Sequence, residues 1–143
     1  MKIYVASSWR NERQPETVRL LREDGHEVYD FRSSEGFNWK QVDESYESQL
    51  NVLPGTYVQM LAHPLAQQGF KADLDAMRWA DACVLDLPCG LSAHLEVGWF
   101  IGQWKLVVIL LNGPLDPELM YLLANKIVTN HDELMELFKG FSA

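Results

Sequence analysis

Short apolar runs alternate with amphipathic stretches along most of the chain, an order typical of α/β proteins. Runs rich in Val, Ile and Leu predict five strands, at residues 2–6, 26–31, 82–87, 105–111 and 126–129. Helical spacing and capping signals predict helices that include residues 18–21, 64–80, 91–102, 117–124 and 133–138. Gly25 is placed to end the first of these helices, and Asn130 has capping-box spacing before the last one.

The strand–helix–strand start of the chain predicts a parallel sheet with a right-handed crossover. By analogy with flavodoxin-like folds, we expect the strand order 2-1-3-4-5. The predicted fold is therefore a flavodoxin- or Rossmann-like three-layer α/β sandwich around a five-stranded parallel sheet. With 143 residues and no linker composition, residues 1–143 are expected to form a single domain.

Residues 32–60 depart from this alternation, because they contain few aliphatic runs and several acidic residues. Phe37 and Trp39 stand there among polar neighbours, and part of 39–50 has a helical pattern. A connection this long in a small domain is usually functional or disordered. We interpret it as an insertion or lid at about 32–60, with a solvated excursion as the alternative.

The net charge of −8 argues against a nucleic-acid polymer as partner, since phosphate neutralisation needs clustered Lys and Arg. A small anionic ligand stays possible if a few local donors meet it. Two cysteines are too few for a disulfide framework. With no apolar leader and no apolar run of spanning length, we expect a cytoplasmic protein without membrane contact.

Two loops are candidates for ligand binding, because open parallel sheets bind ligands beyond the carboxyl ends of their strands, where the strand order reverses. Under the expected order, the loops at that point are residues 6–10 and 88–92. Both are rich in small and hydroxyl residues and lead toward helix N-termini, which attract anions. Capping of those helices by serine is the alternative. The expected donors are Ser7, Ser8, Arg10, Gly90 and Ser92.

Glu96 follows the second loop, one helical turn beyond Ser92. Its neighbours Leu95, Val97 and Gly98 indicate buried surroundings, and a helix N-terminus favours the carboxylate form. A carboxylate held there suits a nucleophile or an electrostatic stabiliser. The alternative is an ordinary surface glutamate.

Two aspartates are further candidates for the same cleft. Asp73 lies one helical turn before the apolar Met77, so we expect it to face inward. Asp86 ends the third strand and is expected to point into the cleft. Two carboxylates about 5 Å apart can cleave a glycosidic bond through a covalent sugar intermediate.

Other kinds of site fit the sequence poorly. The Pro-Cys and His-x-Glu pairs of a zinc deaminase are present, but in reversed order and without the second cysteine. A phosphatase-like Cys89 would need an arginine where Leu95 stands. The four histidines show no metal-ligand spacing, and no glycine-rich dinucleotide loop follows the first strand. We therefore expect neither a metal nor a cofactor.

Four segments carry a family resemblance, and they are KIYVASSWR (2–10), ADLDAMRWADACVLDLP (72–88), GLSAHLEVGWFIGQWK (90–105) and PELM (117–120). Taken in order, they resemble the nucleoside 2-deoxyribosyltransferase family, and within it the 2′-deoxynucleoside 5′-monophosphate N-hydrolases. The resemblance implies that Glu96 attacks C1′ of the sugar. It also implies that Asp73 holds the sugar or assists the leaving base, and that Tyr4 positions the glutamate.

The same resemblance implies the remaining contacts of a nucleotide. The loops that would hold the 5′-phosphate carry Ser8, Arg10, Gly90 and Ser92. Glu118 and Met120 fall where dimeric members reach into a neighbour's site, so a homodimer is expected. The insertion departs from the family pattern, and its Phe37 and Trp39 are candidates to stack on a nucleobase.

The predicted function is an N-glycosidase that cleaves the base–sugar bond of a (deoxy)nucleoside 5′-monophosphate through a glutamate nucleophile. Its partner would be a small nucleotide or nucleoside. Three alternatives stay open: a nucleoside 2-deoxyribosyltransferase, an NAD-type glycohydrolase, and a nucleotide-sensing module without turnover.

Overall fold

The computed structural model describes residues 1–33, 36–47 and 51–141. They form two compact units, one built from Met1–Asp30 with Met77–Ala143 and the other from Phe31–Ala76. The first unit contains all the strands of the described chain. The second contains the insertion noted in the sequence and continues beyond it to Ala76.

The described residues form one all-parallel sheet of five strands, in the order β2-β1-β3-β4-β5. Both the parallel arrangement and the strand order confirm the prediction from sequence. The first strand has the predicted bounds, the second has three residues instead of six, and the other three are one or two residues shorter than predicted. Their bounds are Lys2–Ala6 for β1, Glu27–Tyr29 for β2, Ala82–Asp86 for β3, Leu106–Leu110 for β4 and Lys126–Val128 for β5.

Five α-helices and two 3-10 helices occur in the described part of the chain. The α-helices are Gln14–Glu23 (α1), Pro54–Leu61 (α2), Pro64–Trp79 (α3), Leu91–Gly102 (α4) and His131–Lys139 (α5). The 3-10 helices span Trp39–Gln41 and Leu119–Leu123. None of the helices in the described ranges is long and apolar enough to cross a membrane.

Alternation along the strands gives the sheet two apolar faces, as expected for a parallel sheet covered on both sides. On one face, Ile3, Val84 and Leu110 join a core cluster with side chains of α1 and α5. On the other face, Tyr4 packs against Phe100 of α4, with ring centroids 5.5 Å apart. Helices therefore cover both faces of the first unit, which confirms the predicted three-layer arrangement.

Two helix ends follow the signals read from the sequence. Gly25 has a φ of +92° directly after α1, and the following amide of His26 bonds the carbonyl of Leu21, which closes a Schellman motif. At α5, the Oδ1 of Asn130 accepts a hydrogen bond from the amide of Glu133 at 2.8 Å. The carboxylate of Glu133 accepts in return from the amide of Thr129, one residue earlier than in a standard capping box.

Two local predictions differ from the structure, and one helix was not predicted. Residues 117–124 form no α-helix but a 3-10 helix at Leu119–Leu123, none of whose side chains is buried. Of the helical pattern at 39–50, the structure has the 3-10 turn Trp39–Gln41, and residues 48–50 lie outside the described chain. Helix α2 was missed, because its eight residues bury Met60 alone and so lack a periodic apolar face.

The second unit has its own packing. Phe37 and Trp39 meet edge to face, with ring centroids 4.8 Å apart. A Cβ atom built at Gly69 of α3 would lie 2.9 Å from the Cβ of Phe37. Glycine at this position therefore allows the aromatic segment to approach the helix closely.

Candidate functional site

The loop that follows β1 is fastened to the carboxyl end of β3. The hydroxyl of Ser7 donates a hydrogen bond to the main-chain carbonyl of Asp86 at 2.8 Å. The side-chain amide of Asn11 donates to the same carbonyl at 3.1 Å and to the Ser7 hydroxyl at 3.0 Å. The two loops predicted to bind an anion thus start side by side. Ser7 itself uses its hydroxyl within this junction, so it holds the loop in place.

Serine capping, the alternative explanation for these loops, does not occur at either helix. In the described structure α1 begins after Arg13 and α4 after Gly90, and neither helix has a side-chain capping bond. The hydroxyl of Ser8 instead accepts from the amide of Arg10 at 3.2 Å, within the loop. The guanidinium-bearing Arg10 is exposed at the turn.

The start of α4 is open toward the surroundings. A Cβ atom built at Gly90 meets no atom of the described chain within 4 Å, and the first helical turn carries the exposed Ser92. Backbone N–H groups at a helix start lack intrahelical partners and favour an anion. This geometry suits the predicted role of Gly90 and Ser92, although that role stays a prediction.

Glu96 lies in the second turn of α4 and is half-buried, which agrees with the buried surroundings that the sequence indicates. Its charge raises the pKa of two thiols, Cys83 in β3 and Cys89 in the loop before α4, with burial the larger cause in both. The charge of Glu96 therefore acts both on Cys83, near the start of β3, and on Cys89 in the loop before α4.

Tyr4 lies on the sheet face that α4 covers. It is 2% exposed, pairs with Cys83 in the parallel register, and stacks on Tyr29 with ring centroids 5.1 Å apart. Because paired residues of neighbouring parallel strands share a face, Tyr4 and Cys83 point to the same side. Tyr4 and Glu96 are therefore both associated with this face, as the resemblance requires, and the positioning role of Tyr4 stays a prediction.

Asp86 is fully buried, and its strand parity puts its side chain with Ala82 and Val84 on the opposite face, under α1 and α5. Its Oδ1 accepts a hydrogen bond from the side-chain amide of Asn112 at 2.9 Å. Burial raises the pKa of Asp86, against hydrogen bonds from neighbouring groups that lower it. The structure thus places the side chain of Asp86 on the sheet face opposite to the one that α4 covers, and therefore away from Glu96.

Cys89, Gly90, His94 and Tyr121 form a cluster that was not predicted. The Nδ1 of His94 is 2.7 Å from the carbonyl of Gly90, so Nδ1 carries the proton there. Its Nε2 lies 2.8 Å from the hydroxyl of Tyr121, and the two rings stack. The contact fastens α4 to the 3-10 helix Leu119–Leu123. Burial and the charges of Asp86 and Glu96 raise the pKa of the adjoining Cys89 to about 12, so this cysteine is a thiol.

Met120 and Glu118 lie on and just before that 3-10 helix. Met120 is exposed, and the Glu118 carboxylate accepts from the Met120 amide at 3.0 Å. A shallow apolar pocket of about 330 Å³ adjoins them, lined among others by Leu115, Tyr121 and Ile127. That Glu118 and Met120 reach into the site of a second copy stays a prediction.

The remaining predicted residues belong to the second unit. Asp73 lies on α3 and is half-buried, as are Phe37 and Trp39 before α2. Their roles toward a sugar or a base stay predictions.

Four polar residues that surround Asp86 were not predicted, and they are Asn11, Thr17, Asn112 and His131. Each is polar at a position next to a strand end or a helix start, which is a weak signal in sequence. No group of three or more His, Cys, Asp or Glu side chains with metal-binding geometry occurs among the described residues.

Comparison with family models finds no match, and neither does comparison with curated proteins. Solved structures show that the chain shares its fold with a 2-deoxyribosyltransferase and with a CMP N-glycosidase. A 2-deoxyribosyltransferase from Bacillus psychrosaccharolyticus superposes with a TM-score of 0.66 at 19% identity, over 94% of this chain and 90% of that one.

Two further structures share the fold. A CMP N-glycosidase from Clostridium botulinum gives a TM-score of 0.56 at 17% identity, over 96% of this chain and 98% of the other. A conserved protein from Enterococcus faecalis gives 0.66 at 16% identity, over 99% and 98% of the two chains. At these identities the likeness establishes the fold, and it agrees with the family resemblance read from the sequence.

Proposed function

We propose that this protein is an N-glycosidase that cleaves the base–sugar bond of a (deoxy)nucleoside 5′-monophosphate, with Glu96 as its nucleophile. The observation that carries the proposal is the placement of Glu96: a half-buried carboxylate, on the helix after β3, whose charge acts on Cys83 and Cys89. The fold shared with a deoxyribosyltransferase and a CMP N-glycosidase supports the same chemistry.

The proposed reaction follows from charge. As the C1′–N bond breaks, the sugar gains oxocarbenium character, and a fixed negative charge below it lowers the barrier. The carboxylate of Glu96 bonds to C1′ while the base leaves with the bonding electrons and takes up a proton. Water then attacks C1′ and gives its proton to the group that protonated the base. The bond between C1′ and Glu96 breaks, which restores the carboxylate and releases the free sugar phosphate. Asp73 is proposed to protonate or hold the leaving base.

The loops after β1 and β3 are proposed to bind the phosphate. Candidate donors are Ser8, Arg10, Ser92 and the amides at the start of α4. Contacts to a phosphate remote from C1′ supply binding energy that can be used at the reacting atom.

The same site could transfer the sugar to a second base, as the deoxyribosyltransferase of similar fold does by name. The two activities are separated by an acceptor test. Free base released from a single nucleotide without an acceptor indicates hydrolysis, whereas release that requires a second base indicates transfer.

The test of the nucleophile is the substitution Glu96→Gln, which keeps the shape of the side chain and removes its charge. Base release from a panel of nucleotides is measured by chromatography. We expect its rate to fall by about 10³-fold or more, since the chemical step loses its nucleophile. Calorimetry should still detect nucleotide binding. Glu136→Gln on α5, an exposed glutamate, is the matched control and should keep full turnover.

Mass spectrometry of wild-type protein quenched during turnover should reveal the mass of the sugar adduct on the peptide containing Glu96. Substantial turnover by Glu96→Gln would rule out the nucleophile role. Nucleotide binding without turnover in the wild type, unchanged in Glu96→Gln, would instead support a sensing module.

We also propose that the protein acts as a homodimer. Exposed apolar side chains cluster on α4 and the 3-10 helix that His94 and Tyr121 fasten together, and they are Leu91, Leu95, Leu119, Met120, Leu122 and Leu123. Exposed apolar patches of this kind mark association surfaces.

A further inference from the structure

One buried group links the loops around the proposed phosphate site. The main-chain carbonyl of Asp86 accepts from Ser7 and Asn11 of the loop after β1. The side chain of Asp86 accepts a hydrogen bond from the side-chain amide of Asn112, which follows β4. A single residue at the end of β3 therefore meets the loops of both neighbouring strands.

The carboxyl group of Asp86 is buried among polar side chains. Within the described chain, the Oδ2 of Asp86 has no hydrogen-bond partner and no solvent exposure. Thr17 and the charge of His131 face it from α1 and α5, and Cys89 faces it from the following loop. Thr17 is itself held by the Nε2 of His131 at 2.7 Å. A buried carboxyl of this kind constrains its neighbours, because each displaced partner would leave an unsatisfied polar group.

We infer that Asp86 is a positioning residue that sets the spacing of the two phosphate-binding loops without touching the substrate. The inference rests on the proposed function for the identity of the ligand. It differs from the expectation that Asp86 contacts substrate, because the side chain lies on the face away from Glu96. The required feature is one acceptor at the Oδ1 position, bonded to Asn112.

This role predicts different effects on the affinities for a nucleotide and for a nucleoside. Asp86→Ala keeps the main-chain carbonyl that Ser7 and Asn11 bond, so its effect reaches the loop after β1 through the loss of the side-chain bond to Asn112, which fixes the end of β3. Tyr4 and Glu96 stand on the other face of the sheet. Loss of the Asp86 side chain should therefore weaken binding of a nucleoside 5′-monophosphate and leave binding of the matching nucleoside nearly unchanged.

The experiment compares Asp86→Ala, which removes the acceptor, with Asp86→Asn, which keeps it. Both are made in the full-length Glu96→Gln protein, so that ligands persist during calorimetry, with Asp132→Ala as an exposed control. We expect Asp86→Ala to weaken binding of the nucleotide by about 10-fold and of the nucleoside by less than about 2-fold, because the half-buried amide of Asn112 loses its acceptor. Asp86→Asn should restore nucleotide affinity to within about 3-fold of the parent.

Hydrogen exchange of the ligand-free variants provides a second measurement that does not depend on the ligand. Faster exchange in Asp86→Ala at residues 7–13 and 88–93, restored in Asp86→Asn, is the expected result. Equal losses for nucleotide and nucleoside, no rescue by asparagine, or unchanged exchange would each overturn the inference. If the parent protein binds neither ligand, the proposed function fails, and exchange alone still decides the role of Asp86.

Discussion

Cys89 reports on the charge of its neighbour Glu96. The pKa of this thiol is raised to about 12 by burial, by Asp86 and by Glu96, in that order. Only the thiolate is alkylated, so Cys89 should react slowly with iodoacetamide near neutral pH. Glu96→Gln removes one of the raising charges, and the alkylation rate should increase a few-fold.

The rate is measured by mass spectrometry of the peptide that contains Cys89. The fully buried Cys83 serves as an internal control that should stay unmodified in both proteins. An unchanged rate in Glu96→Gln would show that the carboxylate does not lie where the proposed mechanism needs it.

Asp86 should make stability depend on pH in a way that Asn cannot. Its pKa is raised above 3.8 in the folded chain, mainly by burial, so the folded state retains a proton that the unfolded chain releases. Its contribution to stability is complete below the unfolded pKa and is lost as the pH rises through the folded pKa. Asp86→Asn cannot ionise and avoids this loss.

The melting temperature of Asp86→Asn minus that of the wild type should therefore increase as the pH rises from below 3.8 through the raised folded pKa of Asp86. Circular dichroism at several pH values measures it. A difference that is constant with pH would mean that Asp86 titrates as an exposed carboxyl does.

At the scale of single elements, Gly69 in α3 tests the packing of the second unit. Alanine normally stabilises a helix by about 1 kcal/mol relative to glycine. At Gly69, however, the new Cβ would lie 2.9 Å from the Cβ of Phe37, which is not the movable end of a side chain. We expect Gly69→Ala to lower the free energy of unfolding by about 1–3 kcal/mol, as overpacking does.

Gly98→Ala is the matched control, since a Cβ at Gly98 of α4 meets nothing within 4 Å in the described chain. It should be neutral or stabilising by up to about 1 kcal/mol in urea unfolding. Equal effects of the two alanines would show that Phe37 does not pack on α3 as described.

The elements also show what the sequence could and could not specify. The three central strands β1, β3 and β4 were predictable because both faces of each are buried, which produces unbroken apolar runs. The shorter edge strands β2 and β5 also have exposed residues. The segment 117–124 looks helical by composition, but none of residues 119–123 is buried, and the amide of Asn125 must already bond Val107 of β4. A short segment without a buried face gains too little from packing to complete an α-helix.

The candidate site was predictable to the same extent. Glu96 and the two loops follow from their places after strands, which sequence order reveals. The face to which Asp86 points does not, because alternation gives the parity of a strand but not the face that a given helix covers. The pairing of His94 with Tyr121 joins residues 27 apart, and nothing local in the sequence indicates it.

At the scale of the whole molecule, the surface formed by α4 and the 3-10 helix should decide the oligomeric state. Leu91, Leu95, Leu119 and Leu122 are each at least 75% exposed, and burying one such side chain contributes about 1.5–3 kcal/mol. Two copies of a chain with a net charge of −8 repel each other, so salt should favour association by screening that repulsion.

Light scattering coupled to size exclusion should therefore give twice the 16.4 kDa mass of one chain, with a dimer that tightens as salt is added. Leu95→Glu and Leu122→Glu each place a charge in the apolar surface and should yield monomers with unchanged circular dichroism. Leu53→Glu, at an equally exposed leucine of the second unit, should stay dimeric. A wild-type monomer at all concentrations would refute the dimer. Monomeric variants that keep full turnover would show that each copy completes its own site, and that Met120 serves association alone.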